Sequence, residues 1–413
     1  MIEIFLAIII GILLGIITGL TPGLHVNTIG IIVFSSSESI LEHTSSIVLC
    51  TFFVTIAVVH AMIEFIPSLI FGLSTEDTIT SVQPAHRLLF RGEGYKAIRL
   101  VSFGGFLSII ILILCIPLLF MILPMLYNFL KDYIAYLLII TMCLMIYFTN
   151  KDNRNRLYSL LIFMVSGLLG FFVLNSNLSG NIALLCILSA LFSISTLLYS
   201  ISKKAHLPPQ TNVKILNINN RFVKSTTAGS ISGCILGLLP GLGPAQGSVI
   251  AQTLTFNRNI TPEDFLLTNS GVNISDTIFS LIAVYLIGNP RSAISMYISY
   301  LLSNLELVHV VFFIFIALVS VSVSCIISIK LGDYIIQRVN NVNYHNLNIA
   351  LVILITILVI GYSFVSGAVM FYVVLCYISS IALGLLPNYL DISKSNLMGV
   401  LIVPSIITYL GLL

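Results

Sequence analysis

The chain is built of apolar stretches about 20 residues long, separated by short polar breaks. A helix of that length crosses a bilayer core of about 30 Å. Within a stretch such as 109–123 (IILILCIPLLFMILP), apolar residues cover every side of a helix, without the alternation that barrel strands show. The pattern predicts an all-α integral membrane protein with about 10–12 transmembrane segments.

Composition strengthens this prediction. Of the 413 residues, 58% are hydrophobic and 8% are charged, whereas a soluble domain carries about 25% charged residues. The first apolar stretch contains Glu3 and is followed by no small-residue cleavage site, so we interpret it as a retained helix. Seven cysteines lie singly, without a C-x-x-C pair, and indicate neither a disulfide framework nor a zinc site.

Basic residues indicate the orientation in the membrane. The polar breaks at 74–99, 150–156 and 201–224 together contain 12 of the 18 Lys and Arg residues. The positive-inside rule therefore predicts that these three loops are cytoplasmic, in a multi-pass protein of the cell membrane.

A short motif occurs twice. The sequence G-L-T-P-G-L-H at 19–25 is matched 218 residues later by G-L-L-P-G-L-G at 237–243. Each Pro-Gly pair breaks an apolar hairpin, and the basic loops predict that the first hairpin enters from outside and the second from inside. Two inverted-topology repeats are therefore expected, with residues 1–200 as the first, 201–224 as a cytoplasmic linker and 225–413 as the second.

The residues around the two breaks are candidates for substrate binding. A broken helix persists in hydrocarbon only where it is buried in protein or lines a wet cavity. Helices that restart after each break would point free N–H groups and positive dipole ends inward, which suits an anion such as a carboxylate or phosphate. The alternative is a pair of purely structural kinks. The candidates are Thr21, Pro22, Gly23, His25, Asn27, Thr28, Pro240, Gly241, Gly243, Pro244, Gln246 and Ser248.

A second set of candidates concerns ion coupling. Ionisable side chains within a span are costly and by default mark an ion or proton pathway. His60 and Glu64 share a helix face, and this pair suits a proton; Asn273, Ser275 and Asp276 form an oxygen-rich cluster that suits Na⁺. The alternative is a set of polar contacts between helices. No resident cofactor or metal is expected, only transient coupling by Na⁺ or H⁺. No hydrolase, zinc-protease or P-loop motif is present, so the chain is not predicted to be an enzyme.

Four stretches resemble one family, the large permease subunit of tripartite tricarboxylate transporters. They are the two Pro-Gly motifs, the segment 65–95 with F-I-P-S-L-I-F-G and P-A-H-R, and the segment 270–292 with S-G-V-N-I-S-D and G-N-P-R-S. The first motif carries His25 and Val26 where Gly and Pro are common, and thus looks most like the stand-alone archaeal members. The resemblance implies a secondary transporter with its substrate site at the paired loops. It further implies a periplasmic binding protein that delivers a carboxylate, and a small membrane subunit.

The resulting hypothesis is a secondary active transporter of a small organic anion, working by ion-coupled alternating access. Its expected partners are membrane lipid, the organic anion, the two accessory proteins that the resemblance implies, and a second copy in a homodimer, but no nucleic acid. Two alternatives stay open: a transporter of a polyprenyl-phosphate lipid carrier, and a passive channel or structural membrane protein.

Overall fold

A computed structural model of the chain is mainly helical and has no strands among the residues that it describes. These are residues 2–21, 24, 26–72, 75, 77–150, 152–201, 208–211, 216, 218–237, 239, 242–255, 261–302, 304–338 and 344–412. The prediction of an all-α membrane protein is confirmed.

Eleven helices precede residue 202. They are α1 (Ile2–Leu20), α2 (Val26–Ser35), α3 (Ser37–Leu41), α4 (Ser46–Ile63), α5 (Phe65–Phe71), α6 (Ile79–Leu89), α7 (Gly94–Leu130), α8 (Ile134–Thr149), α9 (Asn153–Leu174), α10 (Gly180–Leu188) and α11 (Ser195–Ile201). A π-helical segment, Ser189–Ile194, joins α10 to α11.

Eight further helices form the second part. They are α12 (Asn220–Leu236), α13 (Pro244–Leu254), α14 (Pro262–Ile287), α15 (Ala293–Leu301), α16 (Leu307–Arg338), α17 (Tyr344–Val365), α18 (Met370–Leu390) and α19 (Gly399–Tyr409). A 3₁₀ segment, Lys394–Met398, precedes α19.

Nine helical stretches in the described part of the chain are long and apolar enough to cross a membrane. One of them, Gly94–Tyr147, contains α7 and most of α8. Large apolar side chains point outward from these helices, for example Met121, Met125 and Phe371, which are 70–80% exposed. Such an outer surface suits hydrocarbon rather than water, because lipid tails solvate apolar side chains and leave backbone groups to bond within the helix.

A row of glycines joins α1 to α4. A Cβ added at Gly11, Gly15 or Gly19 would lie 2.7–2.8 Å from a Cβ atom of α4. Real Cβ atoms do not approach so closely, so the absence of side chains allows the two helix backbones to meet. The close contact between α1 and α4 thus depends on the small size of these residues.

A second row of glycines joins α12 to α14. A Cβ at Gly229 would lie 2.6 Å from the carbonyl oxygen of Thr268, and one at Gly233 would lie 2.7 Å from that of Val272. Gly237 faces the ring of Phe279 one turn further on. The helices that precede the two breaks are therefore both held by glycines spaced four residues apart.

Both breaks occur where the motifs place them. Helix α1 ends at Leu20 and α2 begins at Val26, while α12 ends at Leu236 and α13 begins at Pro244. The Pro-Gly pairs themselves (22–23 and 240–241) and residue 25 lie outside the described residues.

The stretch 74–99 differs from the loop that its polarity suggested. Part of it forms α6, and α7 begins at Gly94. Ser81, Ala85 and Leu88 on one face of α6 are buried. Their spacing of three and four residues makes α6 amphipathic, which a search for long apolar stretches overlooks.

Ion pairs hold the beginnings of α7, α12 and α14 together. The Lys96 ammonium lies 2.9 Å from Oε1 of Glu263 and 3.3 Å from Oε2 of Glu93. Arg221 of α12 pairs with Asp264 of α14 at 3.4 Å. Lys96 and Arg221, two bases of the expected cytoplasmic surface, are therefore paired with carboxylates of neighbouring residues.

Arg99 and Asp333 form a two-pronged salt bridge between α7 and α16. Both guanidinium nitrogens, Nη1 and Nη2, donate to the carboxylate at 2.8 Å. This paired geometry is the strongest form of an arginine–carboxylate contact.

Lys394 is buried in the 3₁₀ segment before α19. Its ammonium donates to Oγ of Ser195 at 2.9 Å and Oγ1 of Thr196 at 2.6 Å, and among the described residues no carboxylate pairs with it. Burial lowers the pKa of Lys394 from 10.5 to about 7, because desolvation disfavours the charged form.

This lowered pKa predicts a pH-dependent stability. Between pH 7 and 10.5 the unfolded chain binds more protons at Lys394 than the folded chain, so folded stability rises with pH across that window. Below pH 7 the full cost of burying the charged Lys394 side chain is present, on the order of 4 kcal/mol.

We expect Lys394→Met to raise the melting temperature in detergent at pH 6 and to leave it nearly unchanged at pH 10. The exposed Lys330 supplies the control, Lys330→Met. Equal shifts for Lys394→Met at both pH values would contradict the prediction.

Candidate functional site

A cavity of about 130 Å³ lies between the two helix breaks. Val26 and Asn27, the first residues of α2, line it on one side. Leu236, Leu239 and Leu242, which flank the second break, line it on the other. The cavity therefore lies where the two motifs meet.

Glu64 is the central polar group of the cavity wall. It follows the last residue of α4 and is 2% exposed. Thr75 Oγ1 donates to its Oε2 at 2.8 Å, and Asn273 Nδ2 of α14 donates to its Oε1 at 2.7 Å. The same Asn273 amide also donates to the Ala61 carbonyl at 3.1 Å. Both carboxylate oxygens are thus held by donors from separate elements, which fixes the carboxylate position.

His60 lies one turn before Glu64 on α4. Its Nδ1 is 3.0 Å from Oγ1 of Thr18 in α1, and its Nε2 is 3.8 Å from Oε2 of Glu64. The Thr18 hydroxyl is also placed to donate to the Gly15 carbonyl, at 3.2 Å. If it does so, its oxygen accepts from Nδ1, and Nε2 faces the carboxylate. The two side chains then form an ion pair when the imidazole is protonated.

Asp276 lies on the same wall, within one turn of Asn273 on α14. Among the described residues, no hydrogen bond or ion pair joins its carboxylate to a neighbour. Asp77 also lines the cavity, from the turn before α6. The Glu64 carboxylate thus accepts hydrogen bonds from the protein, whereas the Asp276 carboxylate lines the cavity without such a bond among the described residues.

Arg291 and Ser292 close the cavity from the turn before α15. Ser292 caps α15, since its Oγ accepts from the Ser295 backbone, and it lies 3.2 Å from Oγ of Ser280 in α14. The Arg291 guanidinium lies 5.7 Å from the ring centre of Tyr127. A guanidinium at the cavity wall is suited to a carboxylate, which it can bind through two parallel hydrogen bonds.

The structure brings some of the predicted residues together. Asn27, His60, Glu64, Asn273 and Asp276 all line the cavity. Charged groups from opposite parts of the sequence are thus gathered around one small volume.

Other predicted residues point elsewhere. Ser275 faces α12, where it packs against Gly233. Gln246 Oε1 accepts from the Gly243 backbone at 3.0 Å, and Ser248 lies 3.1 Å from Oγ1 of Thr80. The expected parts of Gln246 and Ser248 in substrate binding, and of Ser275 in ion coupling, have no support from this placement and stay predictions.

The remaining candidates lie at the helix ends. Thr21 follows α1 and bonds back to it through its amide, and Pro244 begins α13. Only the backbone of Thr28 is described, while Pro22, Gly23, His25, Pro240 and Gly241 lie outside the described residues.

Sequence reasoning missed Asp77, Arg291, Ser280 and Ser292 as cavity residues. Asp77 and Arg291 lie in polar connections, which hydropathy alone assigns to the surface. They do belong to the two stretches that carry the family resemblance, 65–95 and 270–292. The family resemblance of these two stretches was therefore the sequence signal that could have identified Asp77 and Arg291.

The chemistry of the cavity is that of reversible binding. Among the described residues, three carboxylates, one guanidinium and one imidazole line the cavity, a set that can take up cations as well as the carboxylate of a ligand. Among the described residues, no group of three or more His, Cys, Asp or Glu side chains is arranged to hold a metal ion.

Fold and cavity define a class: a multi-pass helical membrane protein with ionisable groups gathered between two interrupted helices. The profile of the Tripartite tricarboxylate transporter TctA family matches residues 5–399. The chain belongs to this transporter family, which confirms the resemblance. Members usually work with a binding protein and a small membrane subunit.

An uncharacterised protein of Methanocaldococcus jannaschii is 30% identical over 363 residues, 87% of this chain and 88% of that protein. No solved structure matches the chain.

Proposed function

We propose that the protein is a secondary active transporter that moves a small carboxylate by ion-coupled alternating access. The observation that carries the proposal is the cavity between the two helix breaks, with Glu64, Asp276 and Arg291 in its wall. Ionisable groups within membrane spans mark substrate and ion pathways. Transporters place such sites near the midplane, between interrupted helices.

Two repeats, residues 1–200 and 225–413 joined by the linker 201–224, would supply the moving halves. The glycine row of α12 follows that of α1 at the same offset of 218 residues as the Pro-Gly motifs. Gly72 ends α5 and Gly288 ends α14, each in a left-handed conformation. Asp77 directly precedes Thr78, the N-cap residue of α6, and Arg291 directly precedes Ser292, the N-cap residue of α15. These correspondences support a repeated architecture, and the placement of basic loops supports its inversion.

The residue roles follow from the contacts. Arg291, with Asn27, would bind the substrate carboxylate, and the backbone around the two breaks would complete the site. Asp276 and the His60–Glu64 pair would respond to the coupling ion, Na⁺ or H⁺. Rocking of one half against the other would open the cavity alternately to the two sides of the cell membrane, with the basic loops cytoplasmic. The accessory binding protein and small subunit of the family, and a homodimer, belong to the same proposal.

Transport assays test this function. Purified full-length protein in liposomes should take up a labelled small carboxylate in a saturable manner, and an imposed Na⁺ or H⁺ gradient should accelerate uptake. Flux without saturation or gradient dependence would indicate a channel instead. A complete absence of flux would indicate a structural role.

A lipid carrier is the less favoured substrate. A polyprenyl phosphate needs an elongated groove that opens sideways to the bilayer. The cavity is small, at about 130 Å³. Its size therefore supports a small solute.

A further inference from the structure

Lys394 lies among packed helices and is not one of the described residues that line the cavity. It begins the 3₁₀ segment Lys394–Met398 between α18 and α19 and is 7% exposed. The segment packs against α6, α9, α18 and α19. Ionisable side chains among membrane-spanning helices are costly and by default mark a functional site. This buried lysine is therefore a candidate for a role in the proposed transport.

The side-chain contacts of Lys394 join the two proposed repeats. Its Nζ donates to Oγ of Ser195 at 2.9 Å and to Oγ1 of Thr196 at 2.6 Å. Both acceptors belong to α11 in the first repeat, whereas Lys394 belongs to the second. A change at this one nitrogen therefore acts on a contact between the two halves.

The acceptors around Nζ match a neutral amine. The Ser195 hydroxyl donates to the Leu191 carbonyl at 2.5 Å, and the Thr196 hydroxyl donates to the Phe192 carbonyl at 2.5 Å. Both hydroxyl oxygens are thus left to accept from Nζ. A neutral amine has two N–H donors, so both are satisfied. An ammonium has three, and the third has no acceptor among the described residues.

The missing acceptor favours the neutral form in this arrangement, because a buried donor without a partner is costly. Leu191 and Phe192 belong to the π-helical segment that precedes α11. Such segments interrupt a regular helix and are frequent at functional sites. The lysine thus meets the first repeat at an irregular stretch of backbone.

Charged side chains on the neighbouring elements are directed away from Lys394. Arg87, Arg154 and Asp391 are exposed. Arg156 donates to the Asn150 carbonyl, and the His86 ring lies against that of Phe90. The other titratable side chains of α9, α11, α18 and α19 are phenols and one thiol: Tyr158, Tyr199, Tyr372, Cys376, Tyr377, Tyr389 and Tyr409. Among the described residues, no carboxylate therefore compensates a charge on Nζ.

The 3₁₀ segment also reaches the second helix break. A Cβ added at Gly243 would lie 3.5 Å from Cε of Met398, the last residue of the segment. Gly243 follows Leu242, which lines the cavity. One short segment therefore connects the buried amine to the cavity wall.

We propose that Lys394 carries a proton through the transport cycle, so that the coupling ion is H⁺. This proposal rests on the proposed transport function. In the present arrangement Nζ is neutral and bonded to Ser195 and Thr196. When the halves move apart, the amine meets water on one side of the membrane and binds a proton, which converts –NH₂ to –NH₃⁺. When the contact forms again, the ammonium releases that proton to the other side.

Uptake by liposomes in Na⁺-free buffer tests this assignment. The full-length protein would be supplied with labelled pyruvate, succinate or citrate, and a pH-sensitive dye inside the liposomes would report proton entry. We expect an inward H⁺ gradient to drive accumulation of at least one compound by the wild type. The matched assay is counterflow, in which labelled compound outside exchanges for unlabelled compound inside at equal pH. Counterflow requires no net movement of protons.

Variants separate proton transfer from substrate movement. Lys394→Met should lose gradient-driven accumulation and the dye signal but keep counterflow. Lys394→Arg should show the same loss, because a guanidinium does not release its proton. Lys330→Met, which replaces an exposed lysine of α16, should keep accumulation, dye signal and counterflow.

Several outcomes would overturn the proposal. Accumulation by Lys394→Met or Lys394→Arg at the wild-type level would show that no proton on this residue is needed. Loss of counterflow in Lys394→Met would assign the residue to substrate movement itself. A melting temperature of Lys394→Met below that of the wild type at pH 6 would contradict a buried neutral amine.

The wild type distinguishes this proposal from the proposed function. If a Na⁺ gradient drives accumulation and an H⁺ gradient does not, the role of Lys394 is wrong and the transport function stands. If none of the three compounds is accumulated under either gradient or exchanged in counterflow, carboxylate transport fails together with the role of Lys394.

Discussion

Glu64→Ala is expected to abolish gradient-driven uptake and to destabilise the folded protein. The Glu64 carboxylate links α4, the turn at Thr75 and Asn273 of α14. Its removal takes away the carboxylate acceptor of the buried Thr75 hydroxyl and one of the two acceptors of the Asn273 amide, at about 1–3 kcal/mol for each lost bond. Thermal unfolding in detergent and uptake by liposomes should therefore both show a large loss.

Asp276→Asn provides the matched control for Glu64→Ala. Both positions carry a carboxylate of the same cavity, but Asp276 contacts no hydrogen-bond partner among the described residues. We expect Asp276→Asn to lower uptake while the melting temperature stays near that of the wild type. A large loss of stability in Asp276→Asn, or a fully stable Glu64→Ala, would contradict these roles.

The second large effect is expected from Gly233→Ala. The new Cβ would lie 2.6 Å from the Cβ of Ser275, 2.7 Å from the Val272 carbonyl oxygen and 2.8 Å from the Asp276 amide nitrogen. Two of these atoms belong to the α14 backbone, so the helices must separate. Overpacking of this kind costs about 1–3 kcal/mol, and the shift would displace Asp276 from the cavity wall. Melting temperature and uptake should both fall.

Gly361→Ala is the control, because a Cβ at Gly361 in α17 meets no atom within 4 Å. We expect this variant to match or slightly exceed the wild type in stability, since alanine is the better helix former. Equal melting temperatures and equal uptake in Gly233→Ala and Gly361→Ala would contradict the prediction, because they would show that stability and transport do not need the close packing of α12 against α14.

The membrane fold could be predicted from the sequence because it depends on stretches of uniform apolar character. His60 and Glu64 could be predicted as partners because a spacing of four places them on one helix face. Asp276 could be singled out because an acid in a span is costly. These arguments use only local spacing and the solvent properties of the bilayer.

Other features depend on tertiary structure. Gln246 and Ser248 are not among the described residues that line the cavity, because their side chains contact the Gly243 backbone and Thr80, and no local pattern determines these contacts. Asp77 and Arg291 reach the cavity because the turns before α6 and α15 fold inward. Their polarity alone is equally typical of a solvated loop.

Accumulation of a labelled substrate against its own gradient tests the central claim most directly. The full-length protein would be placed in liposomes loaded with unlabelled substrate, and a Na⁺ or H⁺ gradient would be imposed. The account predicts that the internal concentration rises above equilibrium with one of the two ions, collapses when an ionophore dissipates that gradient, and stays at equilibrium in Asp276→Asn. Equilibration without accumulation under both gradients in the wild type would contradict it.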